Sequence, residues 1–175
     1  MNRHLSATAA ALALLGCIVL ANWATTHYGL IPAGFGLMVT AGTYAAGLAL
    51  AARDILHETC GVRWVLATIA AGCALSLALG DGRIALASTA AFALAELLDL
   101  AVYAPLRRRN WTGAVAASNA VGAAVDTLVF LTVAGFPLTP QLIGGQVLVK
   151  AVWVTAAFLA AAAVVRFAIR RAVTA

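Results

Sequence analysis

Six apolar stretches, each about as long as a lipid bilayer requires, account for most of the sequence. A membrane-spanning helix needs about 20 mainly apolar residues, and this chain of 175 residues is 64% hydrophobic and only 10% charged. Prolines and glycines separate the stretches, as expected of residues that end helices. The pattern predicts an all-α membrane bundle that forms a single domain over residues 1–175, with six spans near residues 5–26, 33–52, 62–79, 83–104, 112–134 and 142–167.

The arginines indicate how this bundle lies in the membrane, because cytoplasmic segments of membrane proteins are enriched in Lys and Arg. Nine arginines fall on one predicted face, at positions 3, 53, 63, 107, 108, 109, 166, 170 and 171, whereas only Arg83 falls on the other. We therefore predict a multi-pass protein of the bacterial cytoplasmic (inner) membrane with both termini in the cytoplasm. Basic residues at helix ends also explain the formal net charge of +5, so no nucleic-acid partner is predicted.

The first span has an alternative interpretation as a cleaved signal. The sequence Leu14-Leu15-Gly16-Cys17 loosely resembles a lipoprotein cleavage box. Cleavage would leave five spans and an external N-terminus, which the remaining charge pattern does not require. A retained first helix is the simpler interpretation.

Four ionisable residues lie inside the apolar stretches: Glu96, Asp99, Asp126 and Lys150. A charge at the centre of a spanning helix costs roughly 2.5–3.5 kcal/mol on insertion scales. These side chains are therefore expected to face one another, water or a ligand rather than lipid. They predict a polar site inside the bundle and, by default, a transport or binding function.

Helical spacing places these charges on polar stripes of three predicted helices. The stripes are Phe92, Glu96, Asp99 and Tyr103 in the fourth span, Ser118, Asn119, Gly122 and Asp126 in the fifth, and Gln146, Lys150 and Trp153 in the sixth. Such faces turn inward in a bundle, where they either line a pocket or hold the helices together.

The depth of each polar side chain in the membrane follows from counting residues from the predicted cytoplasmic end of its span, at about 1.5 Å per residue. By this count the polar side chains fall into two layers. Asp126 and Lys150 reach a similar depth, which predicts a buried ion pair. Glu96 and Asn119 meet at a second depth, and Glu96 is left without a cation because Asp126 takes the one basic residue inside the spans. Asp99 lies near a helix end, where an anchoring role is as well supported as a ligand contact.

Catalytic, metal-binding and cofactor-binding patterns are absent from the sequence. The three cysteines have no metal-ligand spacing, and there is no nucleophile elbow, zinc-binding helix or phosphate loop. Asp81-Gly82-Arg83 begins like a phospholipid-synthase signature, but the aspartates that should follow are not at supporting positions. We predict a protein that is not an enzyme and that needs no cofactor or metal.

The order of several short motifs resembles the VUT family of small bacterial membrane proteins, the queuosine-precursor transporters. The similarity extends from about Ala21 to Trp153. Its elements are Asn22, Pro32-Ala33-Gly34, Arg53-Asp54, Glu58 and Gly61, then Ala87-Ser88, Ala91-Phe92, Glu96, Asp99, Tyr103, Trp111, Ser118-Asn119, Gly122, Asp126-Thr127, Phe130 and Lys150. Residues 112–115 and 123–124 depart from the family pattern, which leaves the substrate within the family open.

The resemblance implies uptake of a 7-deazaguanine base, preQ0 or preQ1, for salvage into tRNA. A guanine-like edge carries adjacent N–H donors beside a carbonyl, so a carboxylate suits the donors, an amide suits the carbonyl, and aromatic rings cover the flat face. The expected substrate-binding residues are Glu96, Asn119, Asp99, Asp126, Lys150, Asn22, Gln146, Phe92, Tyr103 and Trp153. Glu96 is the first choice among them.

The architecture also resembles the six-helix substrate-binding subunits of energy-coupling-factor vitamin transporters. This leaves the energy source open between an ATPase partner module, a proton carried by Glu96 or Asp99, and downhill movement. Three other functions stay open: a binding subunit for another vitamin-like molecule, a non-transporting membrane assembly protein, and a proton or cation channel.

Overall fold

The computed structural model describes residues 3–79, 81–107, 109–154 and 156, and these are mainly helical. The described residues form six α-helices, one β-hairpin and one π-helical segment. In chain order the elements are α1 Arg3–Tyr28, β1 Leu30–Gly34, β2 Leu37–Thr40, α2 Thr43–Cys60, α3 Val62–Leu79, α4 Gly82–Leu106, α5 Trp111–Ala134, α6 Pro140–Val147 and the π segment Leu148–Val154.

A β-hairpin replaces the first half of the second predicted span. Strands β1 and β2 pair antiparallel, and the turn between them has positive φ angles at Gly34, Phe35 and Gly36. Glycine adopts these angles without steric cost, and Pro32 lacks the N–H that a helix interior needs. The all-α prediction and the prediction of a helix over residues 33–52 are therefore wrong for residues 33–42.

Helix α2 is correspondingly displaced toward the C-terminus. It begins at Thr43 and continues to Cys60, where Gly61 takes a positive φ of 83°. Arg53 and Asp54, which were expected in a connection, lie inside this helix. Arg53 is only 2% exposed, so the displacement brings a cation into the bundle.

Three of the described helices contain stretches long and apolar enough to cross a membrane: Ala7–Tyr28, Gly82–Tyr103 and Thr112–Ala134. They coincide with the first, fourth and fifth predicted spans. The stretch Val62–Ala78 in α3 is apolar but shorter. The part of the sixth predicted span beyond residue 156 lies outside the described residues.

The apolar core consists of two clusters. One joins α1, α2 and α3 around Leu14, Ile18 and Leu56 and includes Phe92 of α4. The other joins α4, α5 and α6 around Ala91, Leu131 and Leu142 and includes Phe130. Buried polar side chains lie beside Phe92 and Phe130, so the two clusters meet at the polar interior.

The hairpin is held against α1 and α6 by close backbone contacts. A Cβ atom added to Gly145 would lie 2.2 Å from the Met38 carbonyl oxygen, and one added to Gly42 would lie 2.0 Å from the Ala21 carbonyl oxygen. Only glycine permits such approaches. The Gly42 amide also donates to Thr25 Oγ1 at 3.1 Å, and Thr40 at the end of β2 is thereby brought into the interior.

Candidate functional site

A small polar cavity lies where α1, α2, α4, α5 and the π segment meet. Its volume is about 20 Å³, and about 10–15 Å³ on this measure holds one water. Phe92 and Phe130 provide aromatic walls. The remaining lining residues are Ala21, Asn22, Thr25, Thr40, Gly42, Thr43, Ala46, Ser88, Asp126 and Lys150.

Asp126 and Lys150 form an ion pair in the wall of this cavity. Lys150 Nζ donates to Asp126 Oδ2 at 2.5 Å, to Gln146 Oε1 at 2.8 Å and to Thr127 Oγ1 at 3.4 Å. The three donors of the ammonium group are therefore all used, and the pair is formally neutral. The predicted ion pair is confirmed. Neutrality and full hydrogen bonding are what allow a buried pair to persist.

Lys150 belongs to the π segment that continues α6. Such segments in helices are rare and occur frequently at functional sites. The preceding turn contributes Gln146, which is fully buried and whose Nε2 donates to Thr40 Oγ1 at 3.5 Å. Gln146 thus connects the ion pair to the end of the hairpin, where Thr40 and Thr43 hydroxyls are 2.9 Å apart.

Asn22 offers an unused hydrogen-bond donor at the opposite wall. Ser88 Oγ donates to Asn22 Oδ1 and joins α1 to α4. The Asn22 Nδ2 group is buried and has no hydrogen-bond partner among the described residues. An unsatisfied buried donor costs about 1–3 kcal/mol, so an acceptor on a bound molecule would be stabilised here.

A second polar cluster surrounds the Arg53 guanidinium. Arg53 Nη2 donates to Asp54 Oδ1 at 2.6 Å, and Nε donates to the same oxygen at 3.1 Å. Nη1 lies 3.2 Å from Glu96 Oε2, and Nη2 lies 3.5 Å from Asn119 Oδ1. The expectation that Glu96 lacks a cation is wrong, because the displaced α2 supplies Arg53. Glu96 and Asn119 come together through this arginine.

The two clusters lie at different depths along the same helices. Ser88 and Glu96 are eight residues apart on α4, which corresponds to about 12 Å at 1.5 Å per residue. Asn119 and Asp126 are seven residues apart on α5, or about 10 Å. The predicted separation into two layers is therefore present, with the cavity in one layer and the Arg53 cluster in the other.

A family model described as "Putative vitamin uptake transporter" matches residues 76–165, slightly more than half of the 175-residue chain. The chain belongs to this vitamin uptake transporter family. Searches of curated proteins and of solved structures gave no match. The family and the three long apolar helices together indicate a membrane protein.

The family match covers only part of the transporter's polar interior. Ser88, Phe92, Glu96, Asp126 and Lys150 lie inside the matched segment. The cavity residues that α1, the hairpin and α2 contribute precede the matched segment in the sequence. The cavity is thus assembled from the matched helices and from the N-terminal elements that pack on them.

The transporter places Tyr103 away from the cavity. Its hydroxyl donates to Glu58 Oε1, and the Arg107 guanidinium lies 5.5 Å from its ring centre and 3.9 Å from Glu58 Oε1. Tyr103 therefore joins the ends of α2 and α4 and does not reach the cavity. The side chains of Asp99 and Trp153 lie outside the described residues.

Several cavity residues of the transporter were not predicted as site residues. They are Thr25, Thr40, Thr43 and Ser88, and Arg53 in the second cluster was likewise not predicted. The sequence could have identified Ser88 as a cavity residue, because it lies one turn before Phe92 on the stripe that continues to Glu96. It could not have identified Thr40 and Thr43, since their placement depends on the hairpin.

Proposed function

We propose that this transporter imports queuosine precursors, the 7-deazaguanine bases preQ0 and preQ1, for salvage into tRNA. The observation that carries the proposal is the cavity whose walls include the Asn22 amide donor, which has no partner among the described residues, and the Asp126 carboxylate. A molecule with adjacent N–H donors and a carbonyl acceptor is complementary to that arrangement.

The base is proposed to bind with its hydrogen-bonding edge between α1 and α5. Asp126 accepts from the N–H donors, and Asn22 Nδ2 donates to the carbonyl oxygen. Lys150 remains bonded to Gln146 and Thr127 when Asp126 turns to the base. Hydrogen bonds to an ionised carboxylate are the stronger kind, and Phe92 and Phe130 supply flat apolar surface.

The cavity must enlarge before it can hold a base. Its volume is about 20 Å³, whereas occupied small-molecule sites measure roughly 300–1,000 Å³. The contact between Gln146 at the end of α6 and Thr40 at the end of the hairpin is long for a hydrogen bond, at 3.5 Å. We therefore propose that the hairpin and α6 separate to admit the base.

The proposal includes six spans, both termini in the cytoplasm and residence in the bacterial inner membrane. In this orientation α1 runs outward and α2 runs inward, so the hairpin lies on the outer face. The cavity then lies in the outer half of the bundle and the Arg53 cluster in the inner half. A base arriving from outside would meet Asn22 and Asp126 before Glu96.

The test is the queuosine content of tRNA in a bacterial host that neither makes nor imports the precursor. Wild-type protein should restore queuosine when low external preQ1 is supplied. Asn22→Leu/Ser88→Ala should reduce it by about tenfold, because the double change removes the donor while leaving no unpaired partner. Ser76→Ala is the matched control, since Ser76 Oγ is also buried without a partner among the described residues.

Three outcomes of this test would contradict the proposal. No restoration by well-expressed wild-type protein would favour another vitamin-like substrate or a non-transporting assembly protein. Restoration that survives Asn22→Leu/Ser88→Ala would place the site elsewhere. Restoration only in cells that also supply an ATPase module would make the chain a binding subunit rather than a free-standing carrier.

A further inference from the structure

The face of α5 between the two polar clusters carries Gly122. This residue lies four positions before Asp126 in the cavity wall and three positions after Asn119 in the Arg53 cluster. The corresponding distances along the helix axis are about 6 Å and 4.5 Å. Residues at these spacings share one helix face. Gly122 therefore lies between the two clusters on one face of α5.

Gly122 is buried, yet it is not required by close packing. A Cβ atom added to it would meet no atom within 4 Å among the described residues. The buried glycines at other helix contacts differ sharply, because a Cβ on Gly72 would lie 2.9 Å from Ile18 Cδ1 and one on Gly145 would lie 2.2 Å from the Met38 oxygen. A glycine inside a helix costs about 1 kcal/mol relative to alanine, so among the described residues Gly122 leaves space open at an energetic cost.

The Arg53 cluster offers chemistry similar to that of the cavity. Asp54 accepts two hydrogen bonds from the guanidinium, and Glu96 Oε2 lies 3.2 Å from its Nη1. Glu96 can therefore exchange an arginine N–H for a substrate N–H while Arg53 stays paired with Asp54. Asn119 supplies an amide beside it, and the Asp54 side chain is 19% exposed, so the cluster reaches toward the exterior of the bundle.

We infer that the buried space at Gly122 is the passage through which substrate moves from the cavity to the Arg53 cluster, and that this cluster is a second binding station. The substrate class is a flat heterocycle with N–H donors and a carbonyl acceptor, as the proposed function requires, and the inference rests on that function. Phe92 lies between Ser88 and Glu96 on α4, so its ring must turn aside during passage.

The test places a larger side chain at residue 122 and measures preQ1 binding and preQ1 transport separately. Gly122→Leu should leave preQ1 binding by the detergent-purified protein unchanged and slow radiolabelled preQ1 uptake into proteoliposomes by about tenfold or more, equivalent to a higher barrier for passage. Gly122→Ala should transport nearly as well as wild type. Gly16→Leu is the matched control, because Gly16 is an exposed residue of α1 with equally free space.

The outcomes separate this inference from the proposed function. Wild-type and Gly16→Leu proteins that fail to take up preQ1 would refute the proposed function itself. If both are active and Gly122→Leu also transports normally, the passage lies elsewhere. If folded Gly122→Leu loses binding together with transport, the space belongs to the first site, and the second station is refuted.

A second variant keeps the test decisive if Gly122→Leu does not fold. Gly122→Cys is made in a protein whose Cys17, Cys60 and Cys73 are replaced by alanine. Alkylation by N-ethylmaleimide should abolish preQ1 uptake, and preQ1 should slow the alkylation. Uptake that continues at the same rate after complete alkylation would overturn the inference.

Discussion

At the level of single residues, the sequence predicts the ion pair between Asp126 and Lys150 better than it predicts the environment of Glu96. Their pairing could be predicted from sequence, because both lie at the same counted depth and no other cation lies inside the predicted spans. The environment of Glu96 could not be predicted in this way. Arg53 lies just beyond the predicted end of the second span, and only the displaced α2 brings it inward. The wrong boundary predicted for the second span therefore led to the wrong prediction that Glu96 has no cation beside it.

The ion pair predicts a specific pattern of stability losses. Asp126→Asn alone leaves the Lys150 ammonium buried without its carboxylate and should lower the free energy of unfolding by about 3–5 kcal/mol. Asp126→Asn/Lys150→Gln removes both charges and should cost clearly less. Thermal unfolding of the detergent-purified variants measures the difference. Equal losses in the single and double variants would mean that the pair contributes no coupling.

The β-hairpin shows the limit of sequence patterns at the level of elements. Residues 33–42 have the apolar composition of a transmembrane helix, and Pro32-Ala33-Gly34 fits a break before a helix as well as the start of a turn. The long helices α4 and α5 were predictable because their apolar stretches are bounded by caps. Asp81 accepts from the amides of Arg83 and Ile84, and Asn110 accepts from that of Gly113.

The contact between the hairpin and α6 predicts opposite behaviour for two adjacent glycines. Gly145→Ala places a methyl group against the Met38 carbonyl and should destabilise the protein by about 1–3 kcal/mol. Gly144→Ala is the matched control, since its nearest atom is Leu37 Cδ2 at 3.7 Å. It should be neutral or slightly stabilising. Unfolding temperatures of the two variants provide the comparison, and equal temperatures would refute the close packing.

The whole molecule combines two polar layers in an apolar bundle whose family is described as vitamin uptake transporters. In the proposed orientation the layers follow one another from outside to inside, which is the order that uptake requires. Family membership rests on residues 76–165, from the end of α3 onward, whereas Asn22 and Arg53 come from the N-terminal half. The sequence predicted both layers and Asn22, but not Arg53 or the hairpin residues, because those contacts join residues far apart in the chain.

The proposed orientation predicts which positions face the outside of the cell. Phe35 at the hairpin turn is 90% exposed, so Phe35→Cys in a cysteine-free background should react with a membrane-impermeant maleimide in intact cells. Arg109→Cys, between α4 and α5, should react only after the membrane is permeabilised. The reverse pattern would invert the orientation, and labelling of both from outside would contradict the three spans, α2, α3 and α4, that separate the two positions.

Calorimetric titration of the detergent-purified protein with preQ1 tests the central claim most directly, because that claim is a binding site at the polar cavity. The wild-type protein should bind preQ1 saturably. The folded Asp126→Asn/Lys150→Gln variant should bind about tenfold or more weakly, since it lacks the carboxylate that accepts from the base. A wild-type protein that does not bind preQ1, or a double variant that binds it equally tightly, would contradict the account.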